Sequence, residues 1–219
     1  TVSPDRHGDT GPATLTRTLC TEIPVTDDTA LIDICDALIH TRQHIGPKHL
    51  EAPGPDEAEL DALFAAAAAA PDHHQLRPWR FLVLGETARQ RLSEVFVEAL
   101  RQRDPQALPD QLEDARIKAF RGPVLIMAIV DLRADDPEVP AFERVFSLGC
   151  AVQNLLLAAR ARGFGSGLSS GRALHVPLMH QAFGLAEGEQ PVCFISLGTP
   201  RRSRPIRPRP AVAEFVQRI

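Results

Sequence analysis

The stretch Ala65-Ala66-Ala67-Ala68-Ala69-Ala70-Pro71-Asp72-His73-His74-Gln75-Leu76-Arg77-Pro78-Trp79-Arg80 carries an alanine-rich helix into a polar loop and then into an apolar strand. Pro71 stops the helix, because proline lacks the amide hydrogen a helix needs and clashes with the preceding turn. Pro78 pushes Arg77 out of the α region and launches residues 79–84 as a strand. Asp72, His73, His74, Gln75 and Arg77 are thereby confined to a short loop pinned at both ends by core elements. Binding sites are commonly built on such loops.

Upstream, residues 1–25 mix Pro, Gly, Thr and Asp without periodicity and read as an N-terminal extension. A helix is expected from residues 26–28, with Leu31, Ile34, Cys35, Leu38 and Ile39 on one face and acidic residues in its first turn. It ends in 40–44, and Gly46-Pro47 breaks it. After the loop 52–55, Asp56 and Glu59 have the spacing of a capping box, and Leu60, Leu63, Phe64 and Ala67 make a buried stripe. Downstream of the strand, Thr87 and Gln90 repeat the capping-box spacing. Leu92, Val95, Phe96, Ala99 and Leu100 form the stripe of that helix, which Pro105 closes. A further helix over about 109–120 carries Lys118 and Arg121 at its end.

Residues 124–130 are uninterruptedly apolar, as expected of a strand buried on both faces. The longest helix, 141–162, is apolar nearly all round and therefore central. Gly163 is its expected C-cap, and 163–171 reads as a glycine- and serine-rich loop. A short helix over 177–183 precedes a last strand, 192–199. An arginine-proline tail (201–210) and an amphipathic segment with Val212, Phe215 and Val216 finish the chain. No internal repeat is visible.

The 219 residues suit one domain, and 44% hydrophobic with 24% charged residues are ordinary globular values. A net charge of −4 gives no reason to expect nucleic acid or an anionic membrane as a partner. Cys20, Cys35, Cys150 and Cys193 are widely spaced, which argues against a zinc site or a disulfide framework and suits reduced thiols. No apolar run approaches the roughly eighteen residues that span a bilayer, and no signal peptide is read. The expectation is a soluble, cytoplasmic, single-domain protein.

Pro71-Asp72-His73 followed by Arg77-Pro78-Trp79-Arg80-Phe81 resembles the Ala-Pro-Ser/Asp…Pro-Trp-x-Phe segment of the FMN-dependent nitroreductase family, in particular its small YdjA-like subgroup. The likeness runs from about residue 31 to the C-terminus. It implies an α+β, nitroreductase-like fold in residues 26–219: a central, mainly antiparallel sheet (79–84, 124–130, 192–199, an added strand left open) wrapped by helices. It also implies an intertwined homodimer, to which the all-round apolar helix 141–162 is suited. The implied activity is an oxidoreductase that takes hydride from NAD(P)H and passes electrons to a nitroaromatic, quinone-like or similar acceptor by a ping-pong mechanism. A flavin-processing or flavin-sequestering protein on the same fold is the alternative.

Through the resemblance, Arg42 matches the helix-end base that holds the FMN phosphate, although capping its helix is an alternative role. Gln43 or His44 stands where the family has Ser. Arg207 and Arg209 match a basic pair before the final segment, and the same run of arginines suits a solvated tail or a weak nucleic-acid arm. His73 and Gln75 correspond to polar contacts delivered from the neighbouring subunit, with a purely structural role for His73 as the alternative. Leu168, Ser169, Ser170 and Gly171 match the loop facing the flavin edge, where backbone N–H groups donate to N5 or O4. No metal site is expected, because the adjacent Asp72, His73 and His74 do not converge on one ion and no Cys/His partner has zinc spacing. No catalytic side chain is assigned, since in this family FMN is the reactive centre.

Overall fold

The computed structural model describes residues 28–133, 137–202 and 205–219. The extension 1–25 and the expected start of the first helix at residues 26 and 27 lie outside them. Helix α1 spans Asp28–Thr41, α2 Glu57–Ala68, α3 Glu86–Arg103, α4 Pro109–Ile117, α5 Ala141–Ala161 and α6 Pro177–Phe183. Strand β1 spans Leu50–Glu51, β2 Trp79–Val83, β3 Val124–Asp131, β4 Gly165–Ser169 and β5 Glu189–Pro200. All strand pairs are antiparallel. Strand β5 lies at the centre, with β3 on one side and β4 on the other; β1 pairs with its last residues, and β2 is outside β3.

The sheet is covered on both faces, and the period-2 alternation of β3 divides its residues between them. Ile126, Ala128 and Val130 join Ile195 and Leu197 of β5 against Leu63 of α2 and Leu148, Leu155 and Leu156 of α5. Leu125, Met127 and Ile129 join Phe194 against Leu92 and Val95 of α3 and Met179 of α6. Each fully buried Leu, Ile, Val, Met or Phe among these contributes about 1.5–3 kcal/mol. Buried Arg89 ties the second layer together by donating Nε to Leu84 O at 3.0 Å, Nη1 to Gly122 O at 2.9 Å and Nη2 to Pro123 O at 2.9 Å. Three carbonyls stand in for a carboxylate there, and burial lowers the guanidinium's pKa.

Asp56 caps α2 as expected, accepting from Glu59 N at 2.8 Å while Glu59 accepts from Asp56 N at 2.9 Å. The Thr87–Gln90 capping box does not form. Gly85 occupies the N-cap without a side-chain cap, so Thr87 is already inside α3. The main correction is β4, because the stretch expected as a Gly/Ser loop is a strand paired along β5. Its glycines are there for tight packing. A Cβ at Gly165 would sit 2.8 Å from Leu50 Cδ2, and one at Gly167 would collide with the Ile45 carbonyl. Leu168 and Ser169 are therefore strand residues, and only Ser170 and Gly171 lie in the loop.

Among the described residues, apolar side chains are exposed in three places, among others. Leu31, Ile34 and Ile39 of α1 are exposed, and so is one flank of the otherwise buried α5, with Phe142 71% and Phe146 69% exposed. Residues 205–219 are exposed throughout, including Ile206, Val212, Phe215 and Val216. Among the described residues no helix is long and apolar enough to cross a membrane.

Candidate functional site

The chain leaving α1 builds one side of the site. Arg42 N donates to Leu38 O at 3.1 Å and completes the last turn. The backbone then lies along the outer edge of β4, where His44 bridges Ser166 in parallel and Ile45 N donates to Ser166 O at 2.8 Å. Only a glycine at 167 permits this approach. At the α1 end the segment borders a cavity of about 360 Å³ lined by Arg42, Gln43, Arg160, Ser166 and Arg202, with no carboxylate among the described residues.

Arg42 is half-buried, and its Nε is fully buried without a hydrogen-bond partner among the described residues. Arg209 reaches back, donating Nη2 to the Arg42 carbonyl at 3.0 Å. Burial, and then the positive charge of Arg209, lower the pKa of Arg42. An orphaned, partly desolvated guanidinium beside a second one is a costly arrangement that an anion would relieve. Arg209 thus joins Arg42, whereas Arg207 makes no side-chain hydrogen bond or ion pair among the described residues. Gln43 lines the cavity; His44 is exposed, its ring against Gly167.

The other end of β4 opens on a second, larger cavity of about 580 Å³, between α3 and β5. Phe96, Leu100, Leu125, Leu174 and Phe194 supply apolar walls; Ser169, Ser170 and Gly171 line it, and Pro47 brings in the far end of the edge segment. Ser196 also lines it, with a fully buried hydroxyl that has no partner among the described residues. Four cations, Arg103, Lys118, Arg121 and Arg172, stand around it, again with no carboxylate among the described residues. Leu168, on the opposite pleat, faces a separate cavity against α5 with Leu148 and Val152. One strand and one edge segment therefore join a cationic cavity to a broad apolar one.

The 71–78 loop is held elsewhere. Ser147 of α5 accepts from Trp79 Nε1 at 3.0 Å and donates to Asp72 Oδ1 at 3.3 Å, and Asp72 also accepts from Arg77 N. His73 Nδ1 pairs with Glu143 Oε2 at 2.8 Å. His74, Gln75 and Arg77 have φ of 55°, 53° and 48°, a left-handed conformation that costs non-glycine residues roughly 1–2 kcal/mol each. Lashed to the first turns of α5, His73 and Gln75 line neither cavity, so a single chain does not bring them to Arg42 or Ser169. Among the described residues no three His, Cys, Asp or Glu side chains converge as metal ligands.

Of the residues that line the cavities, Lys118 and Arg121 stand out in the sequence only as bases at a helix end. Arg202 stands out only as part of the arginine run, and Pro47, Arg103, Arg160, Arg172, Phe194 and Ser196 carry no signal as site residues, because topology alone gathers them.

Fold and cavities together describe an α+β protein with a cationic cavity at one end of β4 and a larger, mostly apolar-walled cavity at the other. The chain belongs to the nitroreductase family, whose model, "Nitroreductase family", matches residues 47–199. YdjA of Escherichia coli K12, by name a candidate NAD(P)H nitroreductase, is 35% identical over 172 residues, covering 78% of this chain and 90% of its own. A nitroreductase-like family protein from Bacillus cereus superposes with a TM-score of 0.71 at 21% identity, over 85% of this chain and 95% of that one. The FMN-dependent nitroreductase NfnB from Mycobacterium smegmatis, solved in complex with NADPH, superposes with a TM-score of 0.65 at 18% identity, over 86% and 99%. The span matched by the family contains every described residue that lines the large cavity, while Arg42 precedes it and Arg209 follows it.

Proposed function

We propose that this chain is an FMN-dependent oxidoreductase that takes hydride from NAD(P)H and passes electrons to a nitroaromatic, quinone-like or similar small acceptor. One observation carries the reading: the unpartnered Nε of Arg42 beside Arg209, at the opposite end of β4 from Ser169. The donor set fits the cofactor. Arg42 and Arg209 would hold the phosphate, since guanidinium forks match phosphate oxygens. Gln43 and Ser166 would meet the ribityl hydroxyls, the backbone N–H groups of Ser170 and Gly171 the ring edge, and Phe194 and Leu174 the ring walls.

Held there, FMN would supply the two-electron redox chemistry between NAD(P)H and the acceptor, in the ping-pong order this reading carries. The chain's own residues position and tune. Lys118 and Arg121 favour negative charge in the large cavity, and the apolar walls exclude water, which strengthens those interactions. No side chain is assigned a catalytic role.

The same reading includes a homodimer acting in the cytoplasm. The dimer is supported by the exposed apolar residues of α1, of the flank of α5 and of 205–219, the kind of surface that marks an interaction site. In the dimer, His73 and Gln75 of one protomer would serve the cofactor of the other. Anaerobic addition of NADPH to the purified protein should bleach its flavin absorbance, and a nitroaromatic acceptor should restore it. A flavin that NADPH leaves oxidised would sink the oxidoreductase reading.

A further inference from the structure

Arg160 and Arg162 both stand at the C-terminal end of α5, and they are used differently. Arg162 turns back on its own helix, donating Nη1 to Ala158 O at 3.2 Å, the ordinary way for a base to satisfy a last-turn carbonyl. Arg160 reaches across to α1 instead, donating Nε to Thr41 Oγ1 at 3.1 Å. The Thr41 hydroxyl is itself anchored, since it donates to Ala37 O at 2.6 Å within the last turns of α1. One edge of the Arg160 guanidinium is thereby fixed on a helix end, and both Nη groups remain for another partner. Among the described residues no carboxylate pairs with it, whereas Arg80, Arg116, Arg133 and Arg201 each have one.

Arg160 and Thr41 line the same cavity of about 360 Å³ as Arg42. Three parts of the chain meet there: the end of α1 with Arg42, the end of α5 with Arg160, and the residues after β5 with Arg202. Arg209 adds a fourth guanidinium at the Arg42 carbonyl. The C-termini of α1 and α5 contribute about half a negative charge each, which balances about one of those four positive charges. The rest repel one another unless an anion lies between them.

We infer that Arg160 is a further phosphate-binding residue, aimed into the cavity by Thr41, so that a phosphate dianion held there ties α1, α5 and the chain beyond β5 together. A guanidinium suits this task because its planar fork can be fixed along one edge while the other edge meets phosphate oxygens; an ammonium on a flexible stem has no second edge to fix. This deepens the proposed function and rests on it for naming FMN as the bearer of the phosphate, whereas the anion site itself is independent of that reading.

Fluorescence titrations of the full chain with FMN and with riboflavin test the role. Arg160→Gln should weaken FMN about three- to ten-fold and leave riboflavin unchanged, a smaller loss than at Arg42 because Arg160 is exposed. Arg160→Lys should recover only part of that loss. Thr41→Val keeps the shape of the side chain and removes the hydroxyl, so it should weaken FMN about two- to three-fold without affecting riboflavin, and Thr41→Ser should restore the affinity. Arg162→Gln removes a helix-end contact and no cavity charge, so it should leave the ratio of the two affinities as it is. An FMN-to-riboflavin ratio that Arg160→Gln does not alter overturns the inference. So does an equal loss for both flavins, or an Arg162→Gln variant that lowers the ratio as far as Arg160→Gln, which would mark a general charge effect.

Inorganic phosphate separates the anion site from the flavin reading. Before flavin is added, phosphate should raise the melting midpoint above that in chloride of equal ionic strength, and Arg160→Gln should lose much of the rise. A rise that needs Arg160, in a protein that takes up no FMN, refutes the flavin reading and leaves the anion site standing. A protein that prefers FMN to riboflavin equally with and without Arg160 refutes the inference and leaves the flavin reading intact.

Discussion

Replacing Arg42 by alanine should separate FMN from riboflavin. The guanidinium is half-buried, its Nε has no partner among the described residues, and Arg209 stands against its carbonyl. A phosphate dianion there would gain a charge-assisted hydrogen bond in a partly desolvated pocket, worth about 1.5–3 kcal/mol. At ~1.4 kcal/mol per decade, Arg42→Ala should weaken FMN by roughly ten- to a hundred-fold. Riboflavin has the same ring and ribityl chain without the phosphate, so its affinity should hardly change. Fluorescence titrations of the wild type and the variant with both flavins supply the four dissociation constants. Arg209→Ala should show the same selectivity to a smaller degree, because its guanidinium is exposed. An equal loss for the two flavins would refute the reasoning and mark Arg42 as a structural residue at the end of α1.

Gly167→Ala should destabilise the fold by about 1–3 kcal/mol and weaken FMN, because the added Cβ drives the segment 42–47 off β4; thermal melts and flavin titration read both effects. Phe146→Asp, on the uncovered flank of α5, should convert a dimer into a monomer with reduced flavin content, as light scattering would register; an unchanged dimer would place the interface elsewhere. Burial pushes the Cys193 thiol up to about 11 from 9.0. The folded state then keeps a proton that the unfolded chain loses, so this contribution is intact below pH 9 and falls away between pH 9 and 11, by about 2–3 kcal/mol in all. Cys193→Ala should flatten that part of the stability profile, while exposed Cys35 reacts with thiol reagents at neutral pH in the folded protein.

The elements whose periodicity is strong were legible. The helices about Leu63, Leu92 and Leu148, the buried run of β3 and the proline-bounded start of β2 form where expected, because burial and local propensity agree there. Strand β4 was not legible. Glycine and serine carry turn propensity, and the need for a residue without Cβ beside Ile45 and Leu50 exists only once those neighbours are in place. The same holds for the site. Among the candidate residues, Arg42 stood out because it ends a helix and matches a family motif, and Arg209 because it lies in a conspicuous run. The larger cavity draws Pro47, Arg103, Arg172 and Ser196 from four separate parts of the chain, and a sequence pattern has no means of bringing them together. His73 and Gln75 were conspicuous for the opposite reason, standing in a motif whose loop is tied to α5 and away from both cavities within one chain.

FMN content measured against protein concentration, after gentle purification and saturation with added FMN, tests the central reading most directly. The expected result is a yellow protein holding close to one non-covalent FMN per chain, at an affinity well above that for riboflavin. A colourless protein that takes up no FMN, or that binds FMN and riboflavin equally, would contradict it.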